Sequence, residues 1–413
     1  MMEHDVTSGP LTLCQVCGSD HLSPIIDLGH QPLCDELLTS DQLNGPEMTY
    51  PLRLMQCNDC TLAQLDYVVP GEEVYPPEYP YRAGISWTVV EAHRQMAQDI
   101  VRRFKPRFCV DIGSNDGTLL KQFKKLGCEV LGFEPTNIAQ LAEEDGVPTV
   151  QAFFSEAIAE EEVATGHKAD VITLTNVFAH MAMLGMVMDG ITFLLDRDGV
   201  LVIENHYLLD ILERNQFDSI YHEHIRTYTL KSLVTLFSAY QLEVFDVERV
   251  PRYGGNIRVF VGWKGRHNVC PSVRALLDHE DAYNYAAATL RFQHNAKHAR
   301  YSFRRFLDGA NGTIAGCSAP GRASTLLNYF GVRREVDRLT WTGELNNSLK
   351  LGRYLPGSHL EVVPNTRLIE EQPDYIVLLA WHYAKEIKER LRREGVRGKL
   401  VSPLPIFRID EEA

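Results

Sequence analysis

The chain has 413 residues, of which 45% are hydrophobic and 23% charged, the balance of an ordinary globular protein. That excludes disordered, collagen-like and fibrous classes, and at roughly 100–200 residues per domain it implies two to four domains. A formal net charge of −14 excludes the broad basic footprint of a nucleic-acid binder, and no apolar run is long enough for a membrane span.

The N-terminal stretch MMEHDVTSGP has no basic segment followed by an apolar core, so no secretory signal is expected. Nine cysteines, an odd number, argue for a reducing, cytoplasmic setting rather than a disulfide framework. Four of them form two pairs, Cys14-x-x-Cys17 and Cys57-x-x-Cys60. Two-residue spacing lets one tight turn present both thiolates to a single tetrahedral metal, and four sulfur ligands leave no position for a catalytic water. A structural Zn2+ held by Cys14, Cys17, Cys57 and Cys60 is therefore expected to fold this module. Two unrelated pairs of buried or redox thiols are the alternative. Cys34, between the pairs, reads as a core thiol.

Residues 86–104 carry apolar positions at helical spacing. A strand at Phe108–Ile112 then runs into Gly113-Ser114-Asn115-Asp116-Gly117, a helix at Thr118–Lys125 and a second strand at Glu129–Phe133 that ends at Glu134. Glycines let a backbone approach a ligand, and the helix start offers free N–H groups. An acidic residue closing the second strand can accept both hydroxyls of a ribose. Asp111 and Asp116 disfavour a pyrophosphate and suit a cationic cofactor such as S-adenosylmethionine. The run Asp111-x-Gly113-x-Asn115-x-Gly117 resembles the first motif of class I methyltransferases; a plain βαβ turn is the alternative. Further strands are expected at 169–175 and 200–205, with a turn at Asp198-Gly199. They place Asn176, His180, Glu204 and His206 at the carboxyl edge, where ligands sit in such sheets.

In Tyr221-His222-Glu223-His224 four polar side chains occupy successive positions, which no amphipathic period explains. A neutral His beside a carboxylate is a base near neutral pH, and a Tyr can donate to a developing oxyanion. The segment can thus remove a proton beside a carbonyl. A metal at His222 and His224, or a solvated loop, are the competing readings. In the C-terminal half, a helical stretch at 271–307 precedes a strand at Asn311–Gly316 that runs into a second glycine loop, Gly316–Thr325. A helix at about 323–330 and strands at Leu360–Val363 and Tyr375–Leu379 follow. Arg322 can fork onto a phosphate, or this is a structural βα turn. Trp381, His382 and Tyr383 follow a strand end and either line the same cleft or pack.

The double-cysteine module, Tyr79-Pro80-Tyr81, the loop 111–117, Asn176–His180, Glu204–Tyr207, Tyr221–His224, Gly254–Arg258 and Gly316–Asn328 together resemble the sugar C-methyltransferases of deoxysugar and antibiotic biosynthesis. The resemblance covers nearly the whole chain. It implies an α/β protein: an N-terminal zinc-binding module (1–75), a class I methyltransferase Rossmann-like core (76–265) and a C-terminal Rossmann-like α/β domain (266–413) that binds a nucleotide sugar.

The implied reaction is methylation at C3 of a dTDP-linked 4-keto-deoxysugar, with S-adenosylmethionine as donor and His224 as base. Tyr221, Glu223 and His180 assist, together with Tyr79 or Tyr81. Asp111, Gly113, Asn115, Gly117, Glu134 and Asn176 would hold the cofactor, and His222, Asn205, Arg258, Arg322 and Trp381 the substrate. A monomer acting on a small molecule, with neither nucleic acid nor membrane as partner, is expected. Methylation at O or N of a small molecule, or a zinc-module scaffold without enzymatic activity, are the rival readings. The sequence departs from the family pattern at Ala323-Ser324 in the second glycine loop and at Tyr253, where a His is common.

Overall fold

A computed structural model describes residue 6 and residues 8–75, 79–162 and 168–410. The N-terminal residues 1–5 and 7, and the first residues of the expected core, 76–78, lie outside the described residues.

The central sheet has seven strands. Five are parallel, in the spatial order Leu195–His206, Ala169–Thr175, Phe108–Ile112, Glu129–Phe133, Thr149–Val150. Beside Leu195–His206 lie Asn256–Trp263, antiparallel to it, and then Leu242–Val250. Val171, Ile172 and Leu174, and the run Val200–Ile203, are buried on both faces, as a sheet covered by helices on both sides requires. The helix Trp87–Phe104 covers one face with Val89, His93, Met96, Ala97 and Ile100, and stops where Lys105 turns left-handed (φ 50°). The expected turn at Asp198-Gly199 lies instead inside a continuous strand, Leu195–His206, whose register slips between Leu195 and Val200.

The C-terminal unit has a six-stranded sheet. Strands Ile314–Cys317, Leu339–Glu344, Glu361–Pro364, Tyr375–Leu378 and Lys399–Ser402 are parallel, and Arg408–Ile409 closes one edge antiparallel. The polar stretch before it splits into two helices, Pro271–Asp281 and Tyr285–Gly309, because Asn284 caps the second by accepting from the Ala287 N–H. The glycine loop feeds the helix Gly321–Phe330.

The N-terminal module is a four-stranded sheet, and one strand is borrowed. Leu22–Gln31, Tyr50–Cys57 and Ala63–Leu65 are joined by Arg226–Thr227, which follows the Tyr-His-Glu-His run directly. The module also touches the C-terminal unit, through a Leu38–Tyr354 bridge and a Gln293 amide donating to the Ile25 carbonyl at 2.7 Å. The segment that carries the catalytic candidates is therefore fixed by three units at once.

Candidate active site

The Cys14, Cys17, Cys57 and Cys60 sulfurs all lie within 4.8 Å of one another. Cys14 to Cys60 and Cys17 to Cys57 are each 3.5 Å apart. A tetrahedron with Zn–S bonds of ~2.3 Å has edges of about 3.8 Å, so the four thiols fit zinc without rearrangement. The Cys14 N–H donates to Ser19, the Gly18 N–H to Cys14, and the Thr61 N–H to Cys57. These turns pre-form both halves of the site.

The cofactor loop begins where Phe108–Ile112 ends. Gly113 has φ 73°, and a Cβ there would meet Val177 at 2.4 Å, so only glycine fits. Glu134 organises the loop: it accepts from the Asn115 N–H at 3.0 Å and from the Thr136 N–H and hydroxyl at 3.0 and 2.7 Å. Asn115 accepts from the Ala83 N–H and Asp116 from the Gly84 N–H, which fastens the segment after Tyr81 over the loop. Asp111 faces inward instead. It is buried, receives the Thr173 hydroxyl at 2.6 Å, and burial pushes its carboxyl up to about 7. Expected to help make the loop suit a cationic ligand, it props the strand from behind. Asn176 turns left-handed at the next strand end (φ 55°) and accepts from the Asn256 amide.

Beyond these strand ends, aromatic and imidazole rings form a continuous chain. His224 lies 3.9 Å from the Tyr221 ring, 5.0 Å from His180 and 4.9 Å from His206. His180 continues to Tyr75 and Tyr79, and His206 to Tyr253, His382 and Tyr383. Several buried polar atoms along this line have no partner among the described residues: Nε2 of His180 and His206, both amide atoms of Asn205, the Tyr75 hydroxyl and Nδ1 of His382. Buried polar groups are almost always satisfied, so a line of orphans marks a ligand's place. Burial holds His180, His206 and His382 well below the usual imidazole range and His224 at about 4. All four are neutral at pH 7.

His224 Nδ1 lies 2.6 Å from the Ser219 carbonyl. A carbonyl only accepts, so Nδ1 carries the proton and Nε2 keeps its lone pair. The expected pairing with the adjacent carboxylate is not what orients this imidazole. Glu223 points the other way, accepting from the Tyr79 hydroxyl at 3.0 Å and the Cys34 thiol at 3.4 Å, with His180 Nδ1 at 3.9 Å. Burial, and then the nearby Asp35, raise the Glu223 carboxyl above the usual range. Cys34 is thus part of the site wall and not an isolated core thiol. Asp35 beside it pairs with the buried Lys350 at 2.7 Å. Of the two candidate tyrosines, Tyr79 is the one in this cluster. Tyr81 is half-exposed and its hydroxyl reaches Tyr253 at 3.4 Å.

Other candidates are placed differently from expectation. His222 turns toward the N-terminal module, with Nε2 at 3.3 Å from the Pro51 carbonyl, so a His222–His224 metal pair is not assembled. Arg258 is spent on Glu204, at 2.7 and 2.9 Å. Burial alone would push Glu204 up, but Arg252 and Arg258 hold it at about 2. Glu204 is therefore a buried anchor and not a rim residue. Arg322 already forks onto a carboxylate, Asp218, at 2.8 and 3.2 Å, and Trp381 Nε1 donates to the same Asp218 at 2.7 Å. Both brace the floor between core and C-terminal unit. Tyr75, Asp35 and Lys350 escaped the sequence reading. A thiol beside a carboxylate at Cys34-Asp35 was the available signal; nothing around Lys350 offered one.

A strand order with a reversed hairpin at one edge, a glycine loop and a clamped acidic strand end define an S-adenosylmethionine-dependent methyltransferase. Family models agree along the chain: a zinc binding domain at 14–75, a methyltransferase domain at 90–247 and a C-methyltransferase C-terminal domain at 251–405. C-methyltransferase NovU of Streptomyces niveus is 33% identical over 415 residues, covering 97% of each chain. The chain belongs to the sugar C-methyltransferase family, and its cofactors are S-adenosylmethionine and a structural zinc.

Two solved structures are also similar. The magnesium protoporphyrin IX methyltransferase of Synechocystis PCC 6803 with bound SAM is 13% identical, over 42% of this chain and 81% of its own, with a TM-score of 0.32. A protein of Pyrococcus horikoshii OT3 is 13% identical over 47% and 98%, with a TM-score of 0.35. The fold stands on the strand order and the methyltransferase family model. No helix among the described residues is long and apolar enough to cross a membrane.

Proposed function

We propose that this C-methyltransferase acts at C3 of a dTDP-linked 4-keto-deoxysugar and that His224 is the base. The carrying observation is His224 itself: a buried, neutral imidazole whose Nδ1–H is fixed by Ser219, leaving Nε2 free among orphaned polar groups. Proton transfer from C3 to Nε2 leaves the electron pair shared between C3 and the C4 oxygen. Bound S-adenosylmethionine supplies the methyl group on a sulfonium. Held by the loop 113–117 and Glu134, it would supply that methyl to C3 with its sulfur as the leaving group, while the chain's own part is to align C3 and take its proton at His224 Nε2.

The residues of the chain position and neutralise. Tyr79, hydrogen-bonded to Glu223, and His180 stand beside the reacting carbon, and Tyr221 packs on the imidazole. The unpartnered Asn205 amide suits sugar hydroxyls. Gly113, Asn115, Gly117 and Glu134 would hold the adenosyl part of the donor, with Asn176 at the edge. Buried among these side chains, a weakly basic imidazole suffices once donor and ketone are aligned. All nine cysteines are free thiols, four of them gathered for zinc, which supports a reducing, cytoplasmic setting.

Incubation with dTDP-4-keto-deoxysugars in heavy water, without methyl donor, tests this directly. The expected result is exchange at C3 that is lost in His224→Asn, whose donor binding stays intact. No exchange, or a methyl group found on oxygen or nitrogen by NMR, would end the reading.

A further inference from the structure

Arg226 heads the side chains that the fold buries completely, at 1% exposure. A guanidinium taken out of water needs opposite charge nearby or it costs several kcal/mol. Yet among the described residues every hydrogen-bond partner of Arg226 is neutral. Nε donates to the Tyr228 hydroxyl at 2.8 Å and Nη1 to Gln15 Oε1 at 2.7 Å. Nη2 reaches the Phe178 carbonyl at 3.4 Å and the Met181 carbonyl.

The addresses of those partners matter. Gln15 sits inside the Cys14-x-x-Cys17 turn, and its own N–H donates to Gln64. Arg226 lies opposite Gln64 in the borrowed strand, just past Cys60. Phe178 and Met181 bracket His180 in a short 3-10 turn. One side chain therefore spans from a residue of the Cys14-x-x-Cys17 turn to the loop that carries His180. Zinc held by four thiolates keeps a net negative charge, because the thiolates outnumber the charge of the metal. That charge is what the buried guanidinium otherwise lacks.

We infer that Arg226 is a positioning residue: it is the counter-charge of the tetrathiolate zinc and the strut that sets the backbone around His180. Through it, the zinc module takes part in the reaction by geometry, beyond stabilising its own fold. The second half of this inference rests on the role proposed for His180; the first half does not.

Arg226→Met and Arg226→Lys, in the full-length zinc-loaded enzyme, test both halves. The measurements are zinc transfer to a chromophoric chelator, donor binding, kcat and KM, each also in the His180→Gln background. Removing a partner outside the metal ligands costs about 10–100-fold in metal affinity. Zinc release about tenfold faster from Arg226→Met is therefore expected, with Arg226→Lys between it and the native enzyme. kcat should fall with donor binding unchanged, and the losses from Arg226→Met and His180→Gln should be less than additive.

Zinc release at the native rate overturns the counter-charge; additive losses overturn the strut. If His180→Gln alone leaves turnover intact while Arg226→Met still sheds zinc, the role proposed for His180 fails and the counter-charge stands. Should Arg226→Met not fold, Gln15→Leu removes only the Gln15 acceptor. Faster zinc release is expected from it too, and an unchanged rate overturns the inference.

Discussion

Asp218→Asn removes one charge from the pair that joins the core to the C-terminal unit. Asp218 is 0% exposed and Arg322 6% exposed. The carboxylate receives three donors: Arg322 Nη2 at 2.8 Å, Arg322 Nε at 3.2 Å and Trp381 Nε1 at 2.7 Å. An amide keeps one acceptor oxygen but turns an N–H2 toward groups that only donate. Arg322 is then left charged and buried among neutral acceptors, the remaining amide oxygen, the Tyr253 carbonyl and the Gln216 amide oxygen. Breaking one side of such a pair costs about 3–5 kcal/mol.

An internal control is available. Arg274 and Asp278 also pair, at 2.9 Å, but with side chains 81% and 54% exposed; solvent-exposed pairs of this kind contribute little. Urea unfolding followed by circular dichroism and tryptophan fluorescence should show a large fall in midpoint for Asp218→Asn and none for Asp278→Asn. The C-terminal unit is expected to separate first, because Arg322 and Trp381 both belong to it. A midpoint for Asp218→Asn as close to the native value as that of the control would refute the argument.

Tyr79→Phe should lower kcat by about 10–100-fold, since it strips the hydroxyl from Glu223, whereas Tyr81→Phe, losing only the 3.4 Å contact to Tyr253, should change kcat little; steady-state kinetics on both variants checks the ranking. His359 lies 2.7 Å from both Glu47 and Glu335, and those carboxylates raise its pKa against partial burial. Its contribution to stability is therefore complete below its unfolded value of about 6.5 and fades as pH rises through the higher folded value. Thermal unfolding across that window should show the loss in the native chain and not in His359→Gln. Stripping zinc with a chelator should unfold the N-terminal module and abolish turnover, because Arg226–Thr227 pairs with Gln64 and Ala63; circular dichroism with a metal assay reads this, and turnover that survives full zinc loss would contradict it.

Local sequence carried the elements whose cause is local. The glycine loop, the strand pair at 108–133 and the helix Trp87–Phe104 are each set by a short-range pattern of apolar positions and glycines, and so were readable. The cysteine spacing likewise foretold a four-sulfur cluster. What could not be read was direction. Successive residues of an irregular segment point to different sides, so Glu223 left His224 for Tyr79, while His222 turned to Pro51. Arg258 and Arg322 looked like free cations because their carboxylates, Glu204 and Asp218, lie 54 and 104 residues away in sequence. Asp35 and Lys350, 315 residues apart, meet only because three units converge. Pairing of that kind is decided by topology, and no single-chain pattern encodes it.

That convergence also explains why the run 221–224 sits where it does. Residues 221–224 carry few apolar side chains of their own to hold them, and a loop without such contacts would be mobile. Here the preceding residues are pinned by Arg322 and Trp381 through Asp218, and the following ones by pairing with the zinc module. Both anchors lie outside the sheet that carries the donor loop. On the function proposed above, His224 would be held rigid while donor and substrate enter between it and the strand ends, and removing either flanking unit would loosen it. A core truncated to residues 76–265 is accordingly expected to retain the donor loop but to lose the fixed Ser219–His224 hydrogen bond. Imidazole nitrogen shifts of His224 matching those of the full-length enzyme would refute that.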